Sequence, residues 1–227
     1  TGNNTFTGTK ELLHGHLIAD DVTALGRGSG WQLAEGTTLT VHAGLSSQNL
    51  LSVVDSSRSS GLLVLGNSIE SAVDLSESNL ILGVMAGKTV QYGAETETVR
   101  NPRLGGGGGT LEVLAKVEAD NLVLGRDGET GVVRLVNSNN SLTGTISING
   151  QVALDATTEA IGNAQVNLDY GKGLMLRESV QSISAKLVPE SSGALLLDYY
   201  TGSEVDMSEN ARLSLSSAGK TDYAGTI

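Results

Sequence analysis

Short runs of alternating or continuously aliphatic residues recur along the chain, and Gly, Asn, Asp or Ser separates each run from the next. Runs of about four to eight residues with such boundaries are typical of β-strands. No segment keeps apolar residues at helical spacing over a dozen positions; residues 11–25 come closest, but Gly15 interrupts them. The pattern predicts an all-β protein with strands at 37–41, 61–65, 79–82, 110–117, 121–124, 132–136, 145–148, 151–154, 165–168, 173–176, 182–187, 194–197 and 211–215.

The chain also repeats a short motif. Asn4-Thr5-Phe6-Thr7-Gly8-Thr9 recurs as Asn140-Ser141-Leu142-Thr143-Gly144-Thr145, and a weaker copy, Thr221-Asp222-Tyr223-Ala224-Gly225-Thr226, stands near residue 227. The first two copies stay in register, because Ala24-Leu25-Gly26 follows the first at the same distance as Ala160-Ile161-Gly162 follows the second. A second related pair is formed by residues 79–83 and 121–125. We interpret the chain as a degenerate repeat protein.

An all-β repeat chain can be a sandwich, barrel, propeller or solenoid, and the aromatic content helps to choose. Propeller blades need units of about 40–50 residues with regular glycine and aromatic signatures, whereas this chain has one Trp, one Phe and five Tyr. A coil of stacked parallel strands encloses a narrow interior that aliphatic side chains fill. We therefore predict a parallel β-helix of about 20–25 residues per turn and about ten turns, hence a rod on the order of 45 Å, with residues 1–227 forming a single segment.

Charge and composition exclude several classes of function. The chain has 14 Lys and Arg against 25 Asp and Glu, a formal net charge of −11, which argues against binding nucleic acid or an anionic membrane through a basic patch. The lack of Cys excludes a disulfide framework and a cysteine nucleophile. The chain contains no run of 18 apolar residues, so the sequence predicts no membrane-spanning helix. Without an initial Met or a signal-peptide pattern, the chain is expected to be a mature or excised segment.

The repeated motif resembles the passenger-associated transport repeat of bacterial autotransporters, which combines an Asn-x-(aromatic or Leu)-Thr-Gly-Thr segment with a later Leu-Gly turn. The positions that carry the resemblance are Asn4, Phe6, Gly8, Thr9 and Gly26, then Asn140, Leu142, Gly144, Thr145 and Gly162, and in the third copy Tyr223 and Gly225. One departure is that residues 11–16 replace a threonine-rich strand, which predicts an irregular turn there.

This resemblance implies a right-handed parallel β-helix exported by type V secretion through the periplasm and outer membrane to the bacterial surface. The partner that it implies is a C-terminal translocator barrel of the same chain, which would lie beyond residue 227. The expected function is that of an adhesin-like stalk that supports adhesion or cell aggregation and passenger folding, through self-association or contact with host surface molecules. The alternative is a polysaccharide hydrolase or lyase built on the same fold.

Candidate metal ligands are few. His14 and His16 have the spacing that places two side chains on one face of a strand, Asp20 and Asp21 follow closely, and His42 could lie one coil away. Two imidazoles and a carboxylate can bind Zn²⁺, but Gly15 makes the local geometry irregular, and solvated histidines are the favoured interpretation. We predict no metal site and no cofactor.

Candidate catalytic groups are carboxylate pairs, as in glycoside hydrolases. They are Asp20 with Asp21, Asp127 with Glu129, and Asp206 with Glu209, and the aromatic residues available beside them are mainly Tyr199 and Tyr200. Surface charges on turns explain these carboxylates more simply. No Gly-x-Ser-x-Gly elbow is present, and we predict no catalytic residue and no enzyme activity.

Five consecutive glycines, residues 105–109, follow Asn101-Pro102-Arg103-Leu104 and predict a break in the regular pattern over residues 101–109. Such a run serves either as a flexible recognition loop or as a linker or protruding loop between coils, and the second interpretation is favoured.

Overall fold

The computed structural model describes residues 2–169, 171–177, 187–188, 192–199 and 214–216. These residues form an all-β parallel β-helix, because every pair of hydrogen-bonded strands runs parallel and joins one coil to the next. Register partners lie between 18 residues apart (Thr98 with Lys116) and 24 residues apart (Thr38 with Leu62). The predicted fold class is confirmed, with coils slightly shorter than expected.

Two long sheets form two sides of the coil. The eight-stranded sheet contains β2 (His16–Ala19), β4 (Thr38–Val41), β5 (Leu62–Leu65), β6 (Ile81–Val84), β9 (Arg103–Leu104), β12 (Leu122–Leu124), β15 (Thr145–Ile148) and β17 (Gln165–Asn167), in this order. The seven-stranded sheet contains β7 (Thr89–Tyr92), β10 (Thr110–Val113), β13 (Thr130–Leu135), β16 (Gln151–Ala156), β18 (Gly173–Arg177), β19 (Ala194–Tyr199) and β20 (Ser214–Ser216).

Two shorter sheets complete the coils. One pairs β1 (Lys10–Leu12) with β3 (Trp31–Leu33), and the other stacks β8 (Thr98–Arg100), β11 (Lys116–Ala119) and β14 (Ser141–Leu142). The eight strands of the long sheet mark eight coils, the bridge from Leu187 to Val166 marks a ninth, and β20, paired with β19, marks a tenth. The described strands therefore occupy the ten coils that the sequence predicts.

Leucines stacked in register form the interior of the coil. Leu39, Leu63, Leu82, Leu104 and Leu124 are successive register partners on the inner side of the eight-stranded sheet, and all five are fully buried. Burying each such side chain stabilises the fold by about 1.5–3 kcal/mol. The repeated strand near Asn79 and Asn121 thus has a simple cause, because β6 and β12 supply two rungs of this ladder, two coils apart.

Of the aromatic side chains that the structure describes, only that of Tyr92 lies inside the coil. Phe6 and Trp31 meet edge to face at 6.4 Å between ring centres in the first two coils, and Phe6 is 45% exposed. The hydroxyl of Tyr92 donates to the carbonyl oxygen of Val73 and accepts from the Val73 N–H. Desolvation raises the pKa of this phenol to about 12.

The structure also departs from the sequence prediction in several places. Helix α1 (Ser47–Val53) is not predicted, because its seven residues are too short to show a helical period; it buries Leu50 and Val53. The sequence pattern likewise does not predict a second short helix, α2 (Thr158–Ile161), or two 3₁₀ turns, Val22–Leu25 and Ser56–Arg58.

Two predicted segments need correction. Residues 11–16 are not an irregular turn, since they contain the end of β1, a corner at 13–15 and the first residue of β2. The predicted strand 110–117 is two strands, β10 and β11. Most of 182–187, and 211–213, lie outside the described residues.

Candidate functional site

A second apolar cluster lies on the outside of the eight-stranded sheet. Strand β5 is buried on both faces, because Leu63 and Leu65 point into the coil whereas Leu62 and Val64 pack outside it with Ile81. A strand that is covered on both sides is expected to be continuously aliphatic. The uninterrupted Leu62–Leu65 run therefore indicates that another segment covers the outer face here.

That covering segment is the five-glycine run, which joins β9 to β10. Gly106 and Gly107 lie against Leu62 and Val64, and Gly107 has φ of 77°. A Cβ atom on Gly107 would lie 2.6 Å from the carbonyl oxygen of Val84, so no larger residue fits without movement. The run is folded back over the sheet rather than projecting from the coil, and β9 continues the sheet through residues 103–104.

An ion pair secures the next corner of the chain against the same surface. Arg126 bonds Glu129 (Nη2 to Oε1, 3.0 Å) and also reaches back to Thr38, whose Oγ1 lies 2.9 Å from Nη2. The other carboxylate oxygen of Glu129 accepts from the N–H of Gly107 at 3.0 Å. Arg126 and Glu129 are about four-fifths buried, and together they hold the two corner loops in place.

These loops leave two shallow recesses on the outer surface. The larger, which we name the outer groove, has a volume of about 550 Å³ and is lined by Glu35, Arg103, Arg126, Asp127, Glu129, Asn149 and three glycines. The smaller recess, about 320 Å³, lies over His16, Ile18, Thr40, His42 and Met85. The outer groove brings three carboxylates together, but none of its lining residues is aromatic.

A charged row runs along the outer side of the seven-stranded sheet. Gln91, Glu112, Arg134 and Asp155 are successive register partners. Arg134 bonds Asp155 through Nε at 2.7 Å and Glu112 through Nη1 at 2.8 Å, and Asp155 is fully buried. Burial disfavours the guanidinium charge, but the hydrogen bonds to Asp155 and Glu112 outweigh this cost, so the pKa of Arg134 is raised. The arrangement is a structural ion-pair row across three coils.

The candidate metal ligands lie in different environments. The ring of His16 bonds Thr40 (Nε2 to Oγ1, 2.8 Å), whereas His42 lies beside Asp20 at 3.7 Å. Asp21 instead accepts from the N–H of Thr23, which lowers the pKa of its carboxyl. In the described part of the chain, no three or more His, Asp or Glu side chains are placed to hold a metal ion.

The candidate carboxylate pairs are placed as follows. Asp127 and Glu129 both line the outer groove, and Glu35, which the sequence pattern does not single out, joins them from the loop between β3 and β4, four coils before the loop between β12 and β13. Asp206, Glu209 and Tyr200 lie outside the described residues, as does the side chain of Tyr199. No sequence pattern predicts that Glu35 belongs to this groove, because only the folding of the corner loops places it in the same recess as Asp127.

The repeated motif corresponds to a repeated hydrogen bond. The side-chain amide of Asn4 donates to the carbonyl oxygen of Ala24 at 2.6 Å, and that of Asn140 donates to Ala160 at 2.9 Å. The glycine that follows each acceptor, Gly26 or Gly162, has a positive φ. Each asparagine therefore binds a helical turn that ends in a left-handed glycine in the next coil. Tyr223 and Gly225 of the third copy lie outside the described residues.

The two copies sit on different sides of the coil. Each residue of the second copy lies 136 positions after its counterpart (140 − 4 for the asparagines), so β2 corresponds to the middle of β16. Yet β2 belongs to the eight-stranded sheet and β16 to the seven-stranded sheet. The motif is thus a local device for joining two coils, independent of the side on which it occurs.

None of the helices among the described residues has the length and apolar character needed to span a lipid bilayer. Comparison of the chain with protein-family models, with curated proteins and with solved structures finds no match.

Proposed function

We propose that the chain is a surface-exposed β-helical stalk of a bacterial autotransporter passenger, which acts in adhesion or cell aggregation and supports passenger folding during secretion. In this proposal a translocator barrel of the same chain exports it to the cell surface. The chain has no Cys, so it cannot form a disulfide that would obstruct its passage through a narrow barrel. The coil contributes stiffness and a long polar outer surface rather than a reaction centre.

The observation that carries this proposal is the repeated Asn-to-Ala hydrogen bond between successive coils, made by Asn4 and by Asn140. Both asparagines stand at the position that the transport-repeat motif requires. A coil that is completed against the one before it offers a strand edge to the next, so folding can progress along the chain as it emerges. Side-chain bonds between coils stabilise each completed step.

Surface display tests the proposal directly. The chain is fused to a translocator barrel, carries an epitope at its N-terminus, and is expressed in a bacterium without its own adhesins. We expect full epitope exposure for the parent chain and for Asn139→Ala, whose exposed side chain bridges no coils, and reduced exposure for Asn140→Ala. Equal exposure of all three would contradict a role of coil stacking in secretion.

Adhesion is measured on the same cells. Cells that display the chain should settle faster from suspension, or bind a host-cell layer better, than cells that carry only the translocator. If both behave alike, the adhesion part of the proposal fails while the stalk part is unaffected.

A second candidate function is action on a polysaccharide. The observation in its favour is that Glu35, Asp127 and Glu129 line one groove. However, Glu129 is engaged by Arg126 and by the Gly107 N–H, and the groove offers no aromatic surface for a sugar ring. Release of reducing ends or unsaturated sugars from acidic and neutral polysaccharides, abolished in Glu35→Gln and Asp127→Asn, would favour the enzyme over the stalk.

A further inference from the structure

The second copy of the motif is bound on both sides. Its Asn140 donates to Ala160 in the next coil, and its Oδ1 accepts from the N–H of Val117 in the preceding coil at 2.8 Å. The preceding coil also offers an Asp-Asn corner. Asp120 accepts from the hydroxyl of Thr143 at 2.8 Å, and Asn121 Oδ1 accepts from the N–H of Thr145 at 3.1 Å.

The first copy is bound on one side only. Asn4 makes the bond to Ala24, but among the described residues none stacks on residues 4–9 in the way that 116–121 stack on 140–145. Phe6 is 45% exposed, whereas its counterpart Leu142 is 1% exposed. A Cβ atom on Gly8 would meet nothing within 4 Å, whereas on Gly144 it would lie 2.3 Å from the Asp120 carbonyl oxygen.

We propose that residues 4–9 are a docking edge for one further β-coil of the same rod, placed ahead of Asn4. Its strand runs parallel to the edge, donates a backbone N–H to Asn4 Oδ1, and ends in an Asp-Asn corner that binds the Thr7 hydroxyl and the Thr9 N–H. The second copy shows each of these bonds completed. The inference goes beyond the proposed function, because it holds for this coil whatever the protein does at a surface.

Charge and shape agree with such an occupant. The hydroxyl of Thr7 and the N–H of Thr9 are donors, and a corner with a carboxylate and an amide oxygen provides the matching acceptors. Phe6 provides an exposed apolar side chain that a strand would cover, as β11 covers Leu142.

The test grafts a second copy of residues 116–139 onto the full chain directly before Asn4, in place of residues 1–3, so that the graft has the connection that Asn139 has to Asn140. Hydrogen exchange of the Thr9 N–H should slow by at least about tenfold, because it gains a structured acceptor. The matched control carries Asp120→Ala and Asn121→Ala in the graft and should lose this protection. Unchanged exchange in the intact graft would overturn the proposal.

A cross-link checks the register. Since the chain has no Cys, Thr5→Cys and Glu118→Cys in the graft form a unique pair, equivalent to the register partners Ser141 and Glu118. They should form a disulfide on mild oxidation. Thr5→Cys with Lys116→Cys in the graft is two residues out of register, beyond the usual Cα separation, and should form several-fold less. Equal yields would contradict parallel docking.

Two further outcomes decide the remaining cases. If the grafted chain does not fold, the unmodified chain is instead mixed with a synthetic peptide of residues 110–124. If the peptide does not slow hydrogen exchange of the Thr9 N–H, the proposed docking edge is wrong. If the unmodified chain instead forms a concentration-dependent dimer that protects Thr9, the occupant is a second copy, and the proposed source is wrong.

Discussion

The side-chain amide of Asn140 donates a 2.9 Å hydrogen bond to the carbonyl oxygen of Ala160, while its Oδ1 accepts from Val117 in the preceding coil. One side chain thus joins three coils. Replacing it leaves two buried or half-buried backbone groups without these partners. We expect Asn140→Ala to lower the free energy of unfolding by about 1–3 kcal/mol in urea titrations.

The adjacent Asn139 provides the control for this substitution. Its side chain is exposed, and Asn139→Ala should change the free energy of unfolding by less than about 0.5 kcal/mol. If the two variants unfold at the same urea concentration, Asn140 does not join the coils in solution.

The close packing of Gly107 against Val84 and Val64 can be tested by comparing its substitution with that of a glycine of similar backbone conformation. Gly107 and Gly87 have φ of 77° and 75°, but a Cβ on Gly87 would meet nothing within 4 Å. Gly87→Ala should cost only the left-handed backbone strain, about 1–2 kcal/mol. Gly107→Ala should cost clearly more, because the Cβ also collides with Val84 and Val64. Equal thermal destabilisation of the two variants would contradict the packing of the glycine run.

The ion pairs of Arg134 are expected to contribute more to stability than an exposed ion pair does. Arg134→Met removes an ion-pair partner of the fully buried Asp155 and should destabilise the chain by about 3–5 kcal/mol. Arg100 pairs with Glu118 on the surface and is 62% exposed, so Arg100→Met should cost less than about 1 kcal/mol. Urea unfolding of both variants measures the difference, and a similar loss in each would show that the row is not a buried pair.

Tyr92 should matter through its hydroxyl. Tyr92→Phe leaves the N–H of Val73, and its carbonyl oxygen, without their partner inside the coil. We expect a loss of about 1–3 kcal/mol in the free energy of unfolding near pH 7. An unaffected Tyr92→Phe variant would contradict the buried bond.

The same phenol should make stability depend on alkaline pH. Its pKa is raised to about 12 in the folded chain, above the ordinary value of 10.0. The folded state therefore holds this proton more tightly, so the stabilisation is complete below about pH 10 and is lost as the pH rises towards 12. Between pH 9 and 11.5 the parent chain should lose roughly 2 kcal/mol more than Tyr92→Phe. Parallel pH profiles of the two chains would contradict this assignment.

Much of the fold follows from the local pattern of the chain. Short aliphatic runs bounded by turn residues predict the parallel strands, and the strand at residues 145–148 has the predicted limits. The motif around Asn4 and Asn140 predicts a degenerate repeat protein, and the structure adds that each asparagine bridges neighbouring coils. The scarcity of aromatic residues agrees with a narrow interior, and Tyr92 enters it only where Val73 binds its hydroxyl.

The sequence by itself determined the strand type, the approximate length of a coil and the repeated motif, since these are visible in the pattern of residues along the chain. Only the tertiary structure decided that the glycine run covers Leu62 and Val64, that Arg126 reaches Thr38, and that Glu35 lines the same groove as Asp127. These contacts depend on how corner loops lean across several coils. No local period in the sequence records that direction, because it results from packing against a surface that exists only once the coils have stacked.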